Sequence, residues 1–197
     1  MCANFLMKIL EADQQRLLEW LDVMFGTVEK PVWVNPGEMK RGQSDKYPGY
    51  EVPVVTLNNN GQREWSEYRW GFLPKWAPSE KHRPAPFNAV GEELSAKPMF
   101  KSAFKTHRCL IPANGFYDYK ASDPEGAKGR YLFKVTGQDY FAFPGLWEEW
   151  HNEIRSCAIV TTEPNALMKQ FHHRMPVILN RDEHEQWLNP KATEAEL

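Results

Sequence analysis

Between Glu11 and Phe25 the apolar positions Ala12, Leu17, Leu18, Leu21 and Phe25 recur at helical spacing, with Asp13 placed to cap, and predict a first helix. A loop carrying Asn35, Pro36, Gly37, Gly42, Pro48 and Gly49 follows. Glu51–Leu57 then reads as a strand that the Asn-Asn-Asn-Gly turn at 58–61 folds back toward Glu64–Trp70. Pro74, Pro78, Pro84 and Pro86 keep the next stretch irregular, so Asn88 stands at its exit. Lys97–Lys105 has the pattern of a short helix. Arg108–Pro112, Gly115–Lys120, Tyr131–Val135, Tyr140–Phe143 and Ile154–Thr161 read as strands. Glu163–Phe171 has helical character, Val177–Leu179 a short strand and Arg181–Leu188 a closing helix.

Strands outnumber helices and no strand-helix-strand alternation is present, which argues against a doubly wound parallel sheet. The expected class is α+β: a single domain with a mixed, largely antiparallel, barrel-like sheet flanked by helices. One folded unit is expected over residues 1–190, with Lys191–Leu197 as a mobile tail. The chain has 197 residues, 42% of them hydrophobic and 25% charged, as an ordinary globular domain does.

Three cysteines at wide spacing, Cys2, Cys109 and Cys157, offer neither a disulfide framework nor a zinc pair, so the sequence predicts a reducing, cytoplasmic setting. Cys109 and Cys157 read as buried structural thiols. The start MCANFLMKIL has no basic stretch leading into an apolar run, and no segment approaches the ~18 apolar residues that cross a bilayer, so neither a signal peptide nor a membrane is expected. Adjacent His172 and His173 lack a third ligand at metal spacing, and no metal or cofactor is expected. The net charge of −2 excludes a generic polyanion binder, but residues 69–108 carry +5 while the rest carries −7, which permits a local basic groove.

Cys2 is the most informative position. Removal of Met1 would place a thiol and an α-amine on one residue, in a 1,2 relation. An amine with a pKa near ~8 condenses with aldehydes at physiological pH, and the thiol can close the imine to a five-membered thiazolidine.

Several segments, in order, resemble the SOS response-associated peptidase family: Met1-Cys2; Pro36-Gly37; Trp70-Gly71-Phe72-Leu73-Pro74 with Trp76; Asn88-Ala89 with Glu92; Arg108 through Tyr117; Gly145-Leu146-Trp147-Glu148; Thr161-Thr162; and His172 with Arg174 through Leu179. The resemblance runs from Met1 to about Leu188. It implies a mixed β core, self-removal of Met1, and a thiazolidine crosslink between Cys2 and the sugar aldehyde of an abasic site in single-stranded DNA. Such an aldehyde is reached without unstacking a base. It further implies a catalytic set of Cys2, Asn88, Asp118 and His172, with Asn88 holding the N-terminal residue and the sugar and His172 as general acid/base. Pro36, Trp70, Gly71 and Arg174 are the expected DNA-binding residues. Trp70, Phe72 and Trp76 are candidates to stack on bases, with at least two of the three expected in the core. The expected partner is single-stranded DNA containing abasic sites, met by a monomer that is nucleoid-associated when bound to damaged DNA.

The chain departs from the family pattern at four places. Asp118 stands where the family has Glu, Asn4 and Val90 stand where it has Arg, and His173 stands where it has Asp. Losing two phosphate-facing cations would lower both DNA affinity and its salt dependence. The alternative reading is a noncatalytic single-stranded DNA binding module on the same fold. A protease acting on other proteins ranks last, because no independent triad is visible.

Overall fold

The computed structural model describes residues 5–6, 32–34, 45–119, 130–138 and 140–197. The expected first helix, Cys2, Asn4 and Pro36 lie outside the described residues. In chain order the strands are β1 (Phe5–Leu6), β2 (Val32–Val34), β3 (Asp45–Lys46), β4 (Glu51–Leu57), β5 (Arg63–Trp70) and β6 (Asn88–Val90). They continue with β7 (Arg108–Ala113), β8 (Gly115–Asp118), β9 (Arg130–Phe133), β10 (Phe141–Trp150), β11 (Ile154–Thr162) and β12 (Met175–Pro176). Two α-helices are described, α1 (Pro98–Thr106) and α2 (Arg181–Leu188), the second with the expected bounds.

Strands β10, β7, β4, β5 and β11 follow one another side by side, and β10 also pairs with β11, so the five close into a barrel. All neighbours are antiparallel except β5 beside β11; β6 adds to β11, also in parallel, and β12 adds antiparallel. A second sheet runs β2-β9-β8-β1-β3 and is antiparallel at the pairings of β1, β8 and β9. This is the mixed, largely antiparallel, barrel-like α+β fold read from the sequence.

Side chains alternate across a strand, and here both faces of the central strands are covered. On β7 and β11, Cys109, Ile111, Cys157 and Ile159 join a core with Phe116 and Phe133 of the second sheet. Their neighbours Leu110, Ala158 and Val160 join a second core with Phe100 and Phe104 of α1 and Trp187 of α2. Two buried faces explain why Cys109–Ala113 is a continuous apolar run rather than an alternating one. The turn at 58–61 closes as expected: Asn58 Oδ1 accepts from the backbone N–H of Asn60 (2.9 Å) and Gln62 (3.0 Å), and Gly61 takes a φ of 73°.

Two local expectations differ from the structure. The stretch Glu163–Phe171 forms only a 3-10 turn at Met168–Gln170, entered through Asn165, whose Oδ1 accepts from Met168 N–H (2.9 Å), and the chain rejoins β11 at Met175. The strand expected at Val177–Leu179 falls two residues sooner, at β12, where Thr161 pairs with Pro176. The C-terminal residues form a 3-10 turn at Glu194–Glu196, whose last carboxylate accepts from Thr193 N–H and Oγ1–H (both 2.7 Å), while Gln186 Nε2 donates to Glu196 O.

Candidate functional site

Asn88 opens β6, where its Cα partner is Ile159 of β11, and the residue before it is fixed twice. Phe87 O accepts from Ile159 N–H (3.0 Å) and from the indole N–H of Trp70 (2.8 Å), and the Phe87 and Trp70 rings meet edge to face at 5.8 Å. Trp70 was expected to face DNA. Its ring is fully buried instead, and what it does is hold the backbone that presents Asn88. Gly71 is buried as well: its N–H donates to Cys157 O (2.9 Å) at a φ of 144° that favours glycine. Phe72 is core, so of the three candidate stacking rings only Trp76, 59% exposed, presents a face to solvent.

Asp118 ends β8 and is 2% exposed. Its Oδ1 accepts from Tyr119 N–H at 2.8 Å, while its buried Oδ2 has no hydrogen-bond partner among the described residues. A buried carboxylate oxygen without a donor carries a desolvation cost and calls for an explanation. Next to β8 runs β1, with Phe5 opposite Phe116 and Leu6 opposite Gly115. On the other side Asp118 pairs with Tyr131 of β9, and the Tyr131 ring packs edge-on against Phe171 at 4.8 Å. Phe171 also meets Phe133 at 5.2 Å, so the residue preceding His172 is seated on the second sheet.

His172 follows in a bend whose geometry sets its proton. Its Nδ1 accepts from Arg174 N–H at 3.0 Å, so in the neutral ring the proton sits on Nε2. Arg174 O lies 3.3 Å from the same Nδ1, ready to accept once the ring is charged. Burial pushes the His172 pKa below its ordinary value, the Asp118 carboxylate pulls it back up, and the neighbouring His173, stacked at 4.2 Å, pushes it down. Neutral at pH 7 and protonated at Nε2, the ring can donate to a reacting oxygen and recover the proton later.

Arg174 was expected to contact DNA, but most of its guanidinium is engaged within the protein. Nη2 donates to Glu92 Oε2 (2.6 Å) and Thr161 O (2.7 Å), and Nη1 to Glu92 Oε1 (3.3 Å). Glu92 also accepts from Thr162 Oγ1 (3.0 Å) and Glu163 N–H (3.2 Å), and its hydrogen bonds from Arg174 hold its pKa down at about 2. Arg174 Nε stays buried without a partner among the described residues. Sequence reasoning quoted Glu92 only as part of a motif; 82 residues separate it from Arg174, and no local pattern announces such a pair.

The expected basic stretch is reduced in a similar way. Arg108 is buried and spends its donors on the carbonyls that end two helices: Phe104 (2.5 Å), Lys105 (3.1 Å), Trp187 (2.6 Å) and Asn189. No described helix is long and apolar enough to cross a membrane.

The structure therefore brings Asp118 and His172 into electrostatic contact, and β11 carries both the strand that begins at Asn88 and the strand that follows the His172 bend. Comparison with known proteins adds a family. The family model described as SOS response associated peptidase (SRAP) matches residues 1–197. The abasic site processing protein YoqW of Bacillus subtilis is 39% identical over 161 residues, covering 77% of this chain and 71% of its own. The abasic site processing protein YedK of Escherichia coli is 22% identical over 197 residues, 98% of this chain and 82% of its own. Among solved structures, a Bacteroides thetaiotaomicron protein is 28% identical with a TM-score of 0.69 over 78% of this chain and 70% of its own. A Bordetella bronchiseptica protein at 22% identity has a TM-score of 0.73 over 98% of this chain and 90% of its own, a likeness of fold.

Proposed function

The chain belongs to the SOS response associated peptidase family, and from that premise we propose that it processes abasic sites in single-stranded DNA through a thiazolidine formed by Cys2. In this reading Met1 is removed by the protein itself, and the α-amine of Cys2 condenses with the open-chain aldehyde of the sugar. Water leaves as the imine forms, and the thiol then adds across the C=N bond, its proton passing to nitrogen. His172 donates from Nε2 to the ring oxygen as the sugar opens, Asn88 holds the sugar and the N-terminal residue, and Asp118 receives the amine.

The observation that carries the proposal is the register of β1 on β8. Phe5 stands opposite Phe116, two residues before Asp118, and only three peptide steps separate Phe5 from Cys2, a reach of about 10 Å. The buried Asp118 Oδ2, lacking a donor among the described residues, suits an ammonium or amine. Trp76 offers an exposed ring for a flanking base.

The test is a denaturing gel of the protein incubated with a single-stranded oligonucleotide carrying either one abasic site or its tetrahydrofuran analogue, which has no aldehyde. A covalent band with the first, none with the second and none with Cys2→Ala is expected. Equal noncovalent binding to both, with no covalent band, would leave the DNA-binding module as the correct reading.

A further inference from the structure

The Glu92–Arg174 pair does more than join two surface loops. Glu92 sits in the 3-10 turn Gly91–Glu93 that continues β6 from Asn88, and Arg174 sits two residues beyond His172. Both segments lie along β11, whose Thr161 and Thr162 contribute a carbonyl and a hydroxyl to the same cluster. The backbone N–H of Arg174 is the group that holds His172 Nδ1, and the guanidinium of the same residue is gripped by Glu92 and Thr161 O.

We propose that Glu92 is a positioning residue: by clamping Arg174 it fixes the His172 bend against β6, holds the Nδ1 acceptor geometry, and so keeps the proton of neutral His172 on Nε2. The inference rests on the reading of His172 as the acid of the abasic-site reaction, but its first consequence is a property of the imidazole alone. Two contacts make the clamp directional. The two Nη atoms meet both Glu92 oxygens, which fixes the guanidinium plane as well as its position. Nη2 reaches Thr161 O, one strand position from where β12 begins its pairing, so the side chain is anchored where its own backbone rejoins the sheet. With the arginine released, the backbone ties that remain at the flanks of the bend include His172 N–H on Met168 O (2.8 Å) and Met175 opposite Thr162.

Among the described residues the groups acting on the imidazole are Asp118 from β8, His173 beside it and the Arg174 backbone; a change at Glu92 leaves the first two as they are and acts through the third. Glu92→Gln keeps the size and the oxygen that accepts from Thr162 and Glu163 while removing the charge.

The experiment is nitrogen-detected NMR of the full chain labelled at histidine, at about two pH units above the usual imidazole pKa of about 6.5, so that the neutral ring is observed. Wild type is expected to show His172 as one tautomer with Nε2 protonated. Glu92→Gln is expected to move the two ring nitrogen shifts toward each other as the second tautomer becomes populated. Covalent capture of abasic DNA is expected to slow about tenfold, since a misplacement of about 1 Å costs of order 100-fold. Arg174→Lys, which keeps a cation but not the two-pronged grip, should shift the nitrogens in the same direction, and it serves if the first variant does not fold. A folded Glu92→Gln protein with an unchanged His172 tautomer overturns the proposal, whether or not its rate falls. Absence of any adduct in wild type would overturn the proposed function, while the tautomer result would still judge the clamp.

Discussion

Asp118 ends β8 of the second sheet and His172 lies 54 residues on, in the bend before β12, and what links them is charge, the carboxylate acting on the imidazole. Burial disfavours the imidazolium, while the nearby carboxylate favours it. The sign gives a test. An NMR titration of His172 should show a midpoint below the ordinary histidine value, and Asp118→Asn should lower it further, because the carboxylate that raises it most has been neutralised. A midpoint that stayed put or rose in the variant would mean that the two side chains do not share a site. The short carboxylate is also where sequence reasoning reached its limit: the type of residue at 118 could be read, but not that one of its oxygens is buried without a donor among the described residues.

Among the elements, β10 shows why one motif glycine is needed. Gly145 lies between β7 and β11, opposite Cys109 and Ile159. A Cβ there would stand 2.8 Å from Ile111 Cδ1, 3.0 Å from Ala158 O and 3.0 Å from Cys109 Sγ. Gly145→Ala should therefore destabilise the protein by roughly 1–3 kcal/mol, read as a lower urea midpoint. An unchanged midpoint would show that the barrel yields there. The strands β4, β5, β7 and β11 and the helix α2 were readable because apolar runs and turn residues mark them locally. The 3-10 turn that replaced the helix expected over Glu163–Phe171 was not, because the chain rejoins β11 at Met175, a long-range pairing that helical spacing does not encode. Arg108 misled in a similar way: counted toward a basic groove, it ties the ends of α1 and α2 to the barrel.

At the scale of the whole molecule, the candidate site exists because the small second sheet lies against the barrel. Phe116 and Phe133 share a core with barrel residues, and Phe171 bridges to His172. The class of this arrangement could be read from the order of strands, but barrel closure through β10 and β11 and the burial of Trp70 depend on contacts that no local pattern encodes. Placing β1 beside β8 is the step on which the functional account depends, since it sets Phe5 opposite Phe116, two residues before Asp118. The measurement that tests this most directly is the intact mass of the protein after incubation with a single-stranded oligonucleotide bearing one abasic site. The account predicts one covalent species, equal to the chain without Met1 plus the oligonucleotide less one water, and its loss in Cys2→Ala. Unmodified protein with Cys2 at its N-terminus and no adduct would contradict it.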